Sequence, residues 1–230
     1  MDFTKYKKIG LVVAMDKEVI PFLKGIGQNE IKEKIANYEI SRFFVKDKEI
    51  ILIKSGIGEI YASSSTQLLI TKYNVDLILN FGVSGSLDKK VGVLSTVLVK
   101  GVVHYDFDLS KIDNVVVGQY PNYSSPIIDA TCEAFNIVAN YYSDIEQVIC
   151  ASADKFVDDK EVKEHLKNTY NASVCDMECA GVLLTCKNNN IPQIIIKTVS
   201  DGEGGVEEYN KRVNEATQKY ISIVKDIIGI

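Results

Sequence analysis

Continuous apolar runs alternate along this chain with segments whose apolar residues recur every three or four positions. Residues 9–15 (IGLVVAM), 75–83 (VDLILNFGV), 147–154 (QVICASAD) and 192–201 (PQIIIKTVSD) read as buried strands. Residues 38–56 predict two antiparallel strands joined at Lys46–Lys48, and 94–106 form a β-rich stretch. Helical spacing predicts a short helix over 16–27, with Pro21 early and Gly25 near its end. It predicts further helices over 60–73, with small residues on one side, 126–142, 158–169 (exposed), 177–189 (buried) and 206–228 (closing, amphipathic). Strands alternating with helices predict an α/β fold: one domain over residues 1–230, with a central mixed β-sheet flanked by helices. No repeat or Pro/Gly/Ser-rich linker divides it.

In such folds ligands bind beyond the carboxyl ends of the strands. The polar residues just past each apolar run are therefore the ones to weigh: 16–18, 82–86, 104–108, 152–156 and 200–201. Asp16 and Glu18 can cap a helix or supply a general base. The turn Gly82-Val83-Ser84-Gly85-Ser86 can present backbone N–H groups to a ligand or be a plain tight turn; it is neither a Walker loop nor GxGxxG. Asp201 can be an Asp-Gly turn or a carboxyl that titrates at a pocket. Glu178 opens an apolar helix, so it must be terminal, partnered or functional, because an unpaired buried charge is costly.

Composition narrows the chemistry. The net charge is −5, from 26 basic and 31 acidic residues, which disfavours nucleic acid as a partner. No apolar run reaches the roughly 18 residues of a membrane span, and the first apolar run is too short for a signal peptide. Five cysteines, an odd number without CxxC, suggest reduced thiols and a cytoplasmic location. Cys175, Cys179 and Cys186 are spaced to share one helix face, as core thiols rather than metal ligands. Two histidines exclude HExxH-type metal sites. Only two arginines, Arg42 and Arg212, are present, and arginine is the usual clamp for phosphate.

Eight segments in order then carry a resemblance: IGLVVAMDKEV, KSGIGEIYA, NFGVSGSL, HYDFD, GQYP, SADKFV, DMECAGV and IIKTVSD, spanning residues 9–201. Together they resemble the nucleoside phosphorylase/nucleosidase superfamily, and within it the 5′-methylthioadenosine/S-adenosylhomocysteine nucleosidases. The resemblance implies a nucleoside phosphorylase-like fold, a homodimer, and hydrolysis of the bond between ribose and adenine without cofactor or metal. It places the chain in methionine salvage. By the same resemblance Glu18 activates water and Asp201 protonates the purine. Glu178 holds the ribose hydroxyls, Met177 lies against the ribose, and Phe156 and Val157 flank the purine. Ser200 orients Asp201 or contacts the base, and Val83 and Ser84 contribute from the glycine-rich turn. Lys197 stands where the family usually has arginine, and the loop after Asp201 is short. Two alternatives remain: a phosphate-dependent phosphorylase of the same fold, with Arg42 reaching a neighbouring subunit's site, and a non-catalytic nucleoside-binding protein.

Overall fold

A computed structural model describes residues 1–26 and 30–230. Its core is four parallel strands: β1 (Lys8–Val13), β4 (Lys48–Lys54), β5 (Leu77–Ser86) and β10 (Gln193–Asp201). Each carries a continuous apolar stretch, and every residue of β10 is buried. Their parallel course brings the carboxyl ends of β1, β5 and β10 to one edge of the sheet.

Antiparallel β3 (Tyr38–Val45) and β2 (Ile31–Ile35) extend the sheet beyond β4. On the other side β6 (Thr96–His104) runs antiparallel to β10, and β8 (Glu146–Ser152) and β9 (Val174–Asp176) follow it. Short β9 then pairs back onto the end of β5, at Gly85 and Ser86. Strands β5, β10, β6, β8 and β9 therefore form a closed ring within the mixed sheet.

Helices cover both faces. On one side lie α1 (Asp16–Ile26), α3 (Glu133–Tyr141), α6 (Gly205–Lys219) and α7 (Ile221–Ile228). Phe22, Phe81 and Tyr220 pack here as tilted rings, with centroids 5.0 and 5.1 Å apart, and tie α1 and the α6–α7 junction to β5. On the other side α2 (Glu59–Leu68), ending in a π-helical turn (Leu69–Tyr73), packs on α5 (Cys179–Asn189). The exposed helix α4 (Lys160–Tyr170) lies near β8. No helix among the described residues is long and apolar enough to cross a membrane.

Four expectations need correction. The helix expected over 126–142 starts only at Glu133, because residues 127–129 form a strand, β7 (Ile127–Asp129), on the free edge of β6. The Cys132 thiol caps the helix by accepting the Phe135 amide. The closing helix breaks in two at Tyr220, whose ring is drawn into the core. Strand β2 went unseen because an edge strand with Lys and Glu exposed lacks the apolar signal. The cysteines do not share a helix face: Cys175 belongs to β9, and Cys179 and Cys186 to α5. All five are free thiols. The expected end of the first helix, at Gly27, lies outside the described residues.

Tyr220 is buried among apolar rings, and its hydroxyl finds no hydrogen-bond partner among the described residues. Tyr220→Phe should therefore leave stability unchanged or raise it by about 1 kcal/mol in urea unfolding. A loss of that size would mean that the hydroxyl is satisfied in solution.

Candidate active site

A cavity of about 430 Å³ opens where β1, β5, β9 and β10 end. All nine residues singled out in the sequence line it: Glu18, Val83, Ser84, Phe156, Val157, Met177, Glu178, Ser200 and Asp201. A second cavity of about 460 Å³, over β2–β4 and α1, contains none of them.

Glu18 lies in the first turn of α1, turned inward and buried. Its Oε1 accepts the Val83 amide at 2.9 Å, and its Oε2 accepts the Met15 amide at 3.0 Å. The carboxylate rests directly on Gly82, where a Cβ would come within 2.5 Å of Oε1, so the strand needs glycine at this point. Burial pushes the Glu18 pKa up, against the pull of Lys197 and of the two amides.

Asp201 ends β10. Ser200 donates from Oγ to Asp201 Oδ1 at 2.8 Å, while Oδ2 is buried without a partner among the described residues. Burial pushes this carboxyl up to about 6, with Ser200 and Lys163 opposing. An unpartnered buried carboxyl oxygen is far less costly as a protonated acid. Ser84 Oγ, also on the cavity wall, is likewise buried without a partner among the described residues.

Glu178 sits at the N-cap of α5 without capping it; its Oε1 instead accepts the Gly58 amide at 3.1 Å. Burial lifts it to about 7, against Lys197, with Asp176 and Glu18 adding to the rise. Met177 and Val157 supply apolar wall. Phe156 meets Tyr209 of α6 edge-on, at 5.8 Å and 76°.

Beneath the cavity lies a buried charge network. Lys197 donates to Asp176 Oδ2 at 2.8 Å, with both side chains almost fully buried. Burial alone would lower the lysine pKa, but Asp176 and its neighbours hold it well above the ordinary value. The same ammonium keeps Asp176 below the ordinary carboxylate value despite burial. Ser152 Oγ donates to Asp176 Oδ1 at 2.6 Å, accepts the Ala180 amide at 3.2 Å, and also touches Glu59 Oε1. A hydroxyl has one proton, so Glu59 must approach Ser152 as the protonated acid. Its pKa, pushed up to about 8 by burial and by Asp176, agrees. Cys150, Asp176 and Cys179 bring potential metal-ligand atoms within 4.8 Å of one another. The Lys197 ammonium already occupies Asp176, and burial pushes the thiols up, Cys179 to about 11, which is a poor ligand set.

Sequence reasoning missed Met15, Ile57, Asp176, Tyr209 and Asn210, all of which line the cavity. Asp176 carried a signal, as a second acid next to Met177 and Glu178 before an apolar helix. Tyr209 and Asn210 carried none, because helix position alone brings them to the cavity. Residues 104–108, weighed as a strand-end group, stand apart from it: His104 is held between Tyr120 (2.7 Å) and Asp106 (2.9 Å). Arg42 is engaged on the outer strands by Glu49 (Nε to Oε1, 2.9 Å) and Glu33 (3.8 Å), not at the cavity.

The family model of the phosphorylase superfamily matches residues 8–229. The chain belongs to that superfamily. Its relatives there include nucleosidases. A 5′-methylthioadenosine/S-adenosylhomocysteine nucleosidase of Buchnera aphidicola is 32% identical over 212 residues, covering 90% of each chain. An aminodeoxyfutalosine nucleosidase of Helicobacter pylori is 30% identical over 200 residues, covering 85% of each. The solved structure of a Helicobacter pylori methylthioadenosine/adenosylhomocysteine nucleosidase with butyl-thio-DADMe-Immucillin-A superposes with a TM-score of 0.91, at 25% identity and 99% coverage of both chains.

Lys197 is buried and paired with Asp176 alone among the carboxylates of the described residues. Lys197→Met leaves the Asp176 carboxylate buried and unpaired, and should cost about 3–5 kcal/mol in urea unfolding. Asp176→Asn in the same chain should recover part of that loss. Purely additive effects of the two substitutions would show that they do not form a coupled pair.

Proposed function

We propose that this protein hydrolyses the N-glycosidic bond of 5′-methylthioadenosine and S-adenosylhomocysteine, releasing adenine and a 5-thio-substituted ribose. The observation that carries this reading is Asp201: a half-unsatisfied carboxyl with a pKa of about 6, in one cavity with Glu18 and Glu178.

Cleavage of a ribose–purine bond builds positive charge on the ribose and negative charge on the leaving base. Asp201 gives its proton to the purine as the bond to the anomeric carbon breaks. Glu18, made more basic by burial, takes a proton from the water that attacks that carbon. Glu178 binds the ribose hydroxyls and stabilises the positive charge beside them. Met177 packs on the ribose. Phe156, Val157, Val83, Ser84 and Ser200 hold the base and its neighbourhood. Acid, base and charge stabiliser are all carboxyl groups, and the scheme calls on no metal and no cofactor.

Water is favoured over phosphate as the nucleophile. Four carboxyl groups, of Glu18, Asp176, Glu178 and Asp201, line the cavity; among the described residues its one basic side chain is the exposed Lys155, no arginine lines it, and Arg42 is paired elsewhere. The aminodeoxyfutalosine nucleosidase among the relatives keeps the 5′ substituent open, because the same acid and base would serve either substrate.

The deciding experiment incubates the protein with methylthioadenosine in phosphate-free buffer and follows free adenine. Adenine and a reducing sugar should appear without phosphate. Release only with phosphate, as a sugar 1-phosphate, would move the protein to the phosphorylases. Tight analogue binding without turnover in either buffer would make it a nucleoside-binding protein. Asp201→Asn and Glu18→Gln should each lower kcat/KM by about 10²–10⁴ with the fold intact. The acid must be protonated and the base ionised. The rate of the wild type should therefore fall as pH rises through about 6 on the Asp201 limb, and fall again toward acid as Glu18 protonates.

The same reading includes a homodimer and a cytoplasmic protein recycling by-products of adenosylmethionine. Supporting the dimer, Ile57, Ile60 and Tyr61 stand exposed at the start of α2, and Ile57 lines the cavity. Light scattering should give twice the 25.5 kDa chain mass, and Ile60→Glu should shift it toward the monomer. A wild-type monomer at micromolar concentration would refute this. Five free thiols fit a reducing compartment.

A further inference from the structure

The turn that follows Asp201 is gripped by two charged side chains that the scheme above does not use. Lys163 of α4 is buried, and its ammonium donates to the Gly202 carbonyl at 2.5 Å. No carboxylate pairs with this lysine among the described residues, so a peptide oxygen is its main compensation. Glu208 of α6 takes the opposite end of the same residue: its Oε2 accepts the Gly202 amide at 2.8 Å and the Gly204 amide at 3.3 Å. Asp158 closes the turn from outside. Its carboxylate rests on Gly205, which has φ +50 and no room for a Cβ. A buried lysine without a partner acid is costly, and the fold tolerates this one next to the catalytic acid.

We propose that Lys163 and Glu208 are positioning residues for Asp201. By holding the carbonyl and the amide of Gly202 from opposite sides, they fix the end of β10, and with it the place of the Asp201 carboxyl in the cavity. This rests on the reading of Asp201 as the acid.

Their charges act on Asp201 with opposite sign. The Lys163 ammonium favours the ionised form, whereas Glu208 and Asp158 favour the protonated form. The remaining groups facing this carboxyl are the Ser200 hydroxyl on β10, the Cys175 thiol on β9 and the Tyr209 phenol on α6. Neither the thiol, pushed up to about 12, nor the phenol, also raised, changes charge near neutral pH. Lys163, Glu208 and Asp158 are thus the nearby charges able to tune the acid.

The test follows the titration of Asp201 by carboxyl-carbon NMR in the free protein, identified by its absence from Asp201→Asn. This readout needs no turnover. Lys163→Met should move the midpoint up, and Glu208→Gln, which keeps an acceptor but loses the charge, should move it down, each by at least about half a pH unit. On methylthioadenosine, Lys163→Met should lower kcat about tenfold or more with KM little changed, and carry the alkaline limb of the pH profile with it. Lys163→Arg, which keeps the charge and a donor, should recover both. Midpoints unmoved in the folded variants would overturn the proposal and leave the two residues a purely structural role. Should Lys163→Met not fold, Glu208→Gln and Lys163→Arg decide alone. If the midpoints move but no nucleoside is cleaved by the wild type, the nucleosidase reading fails while the positioning of Asp201 stands.

Discussion

The ion pair between Lys197 and Asp176 is the constraint on which the site depends. Lys197 is the one lysine in β10, a strand buried along its whole length, so its charge must be met inside the protein. Asp176 meets it from β9, the three-residue strand that closes the ring back onto β5. One pairing thus joins the strand that ends in Asp201 to the strand that leads into Met177 and Glu178. Two charges brought out of water seldom stabilise a fold on balance. What they contribute here is register: a slip of either strand would bury an unpaired charge. Ser152, Glu59 and the first amides of α5 carry the constraint outward to α2.

The same ammonium shapes the chemistry above it. It opposes the rise in pKa at Glu18 and at Glu178, whereas Asp201 lies under the influence of Lys163 instead. The proposed acid and the proposed base are therefore held by different cations, from different elements. That separation allows one carboxyl to keep a proton while another gives it up. It also has a cost in stability. A carboxyl raised from 3.8 to about 6 on folding destabilises the protein fully above pH 6, and the penalty disappears as pH falls below about 4. The bound is about 3 kcal/mol at 1.36 kcal/mol per pH unit, reduced in practice by solvent reaching the cavity.

The sheet and its site were largely legible in the sequence, for different reasons. The parallel core strands stood out because strands covered on both faces must be continuously apolar. The nine candidate residues that share the cavity were picked out because they lie just past those strands or within ordered motifs. Strand β2 escaped, being an edge strand with charge on its surface, and β7 escaped because three residues carry no periodicity. Tyr209 escaped because α6 is amphipathic throughout, and only its packing selects the residue that faces the cavity. Lys197 was visible as a lysine in an apolar strand, but its partner was not. Asp176 lies twenty-one positions away, and the ring closure that joins them is a property of the whole sheet.

Charge around the cavity bears on the choice between water and phosphate more directly than any motif does. A phosphate dianion would have to enter beside Glu18 and Glu178, where among the described residues only the exposed Lys155 brings a cation to the wall, and no arginine does. Lys197 points its charge into Asp176 beneath the floor, and Lys163 is committed to a peptide carbonyl. Water carries no such penalty. It needs an acceptor for one proton, and Glu18, desolvated but still reached by two amides, is placed to be that acceptor. The network that neutralises Lys197 internally thus also withholds it from an anion, and biases the site toward hydrolysis.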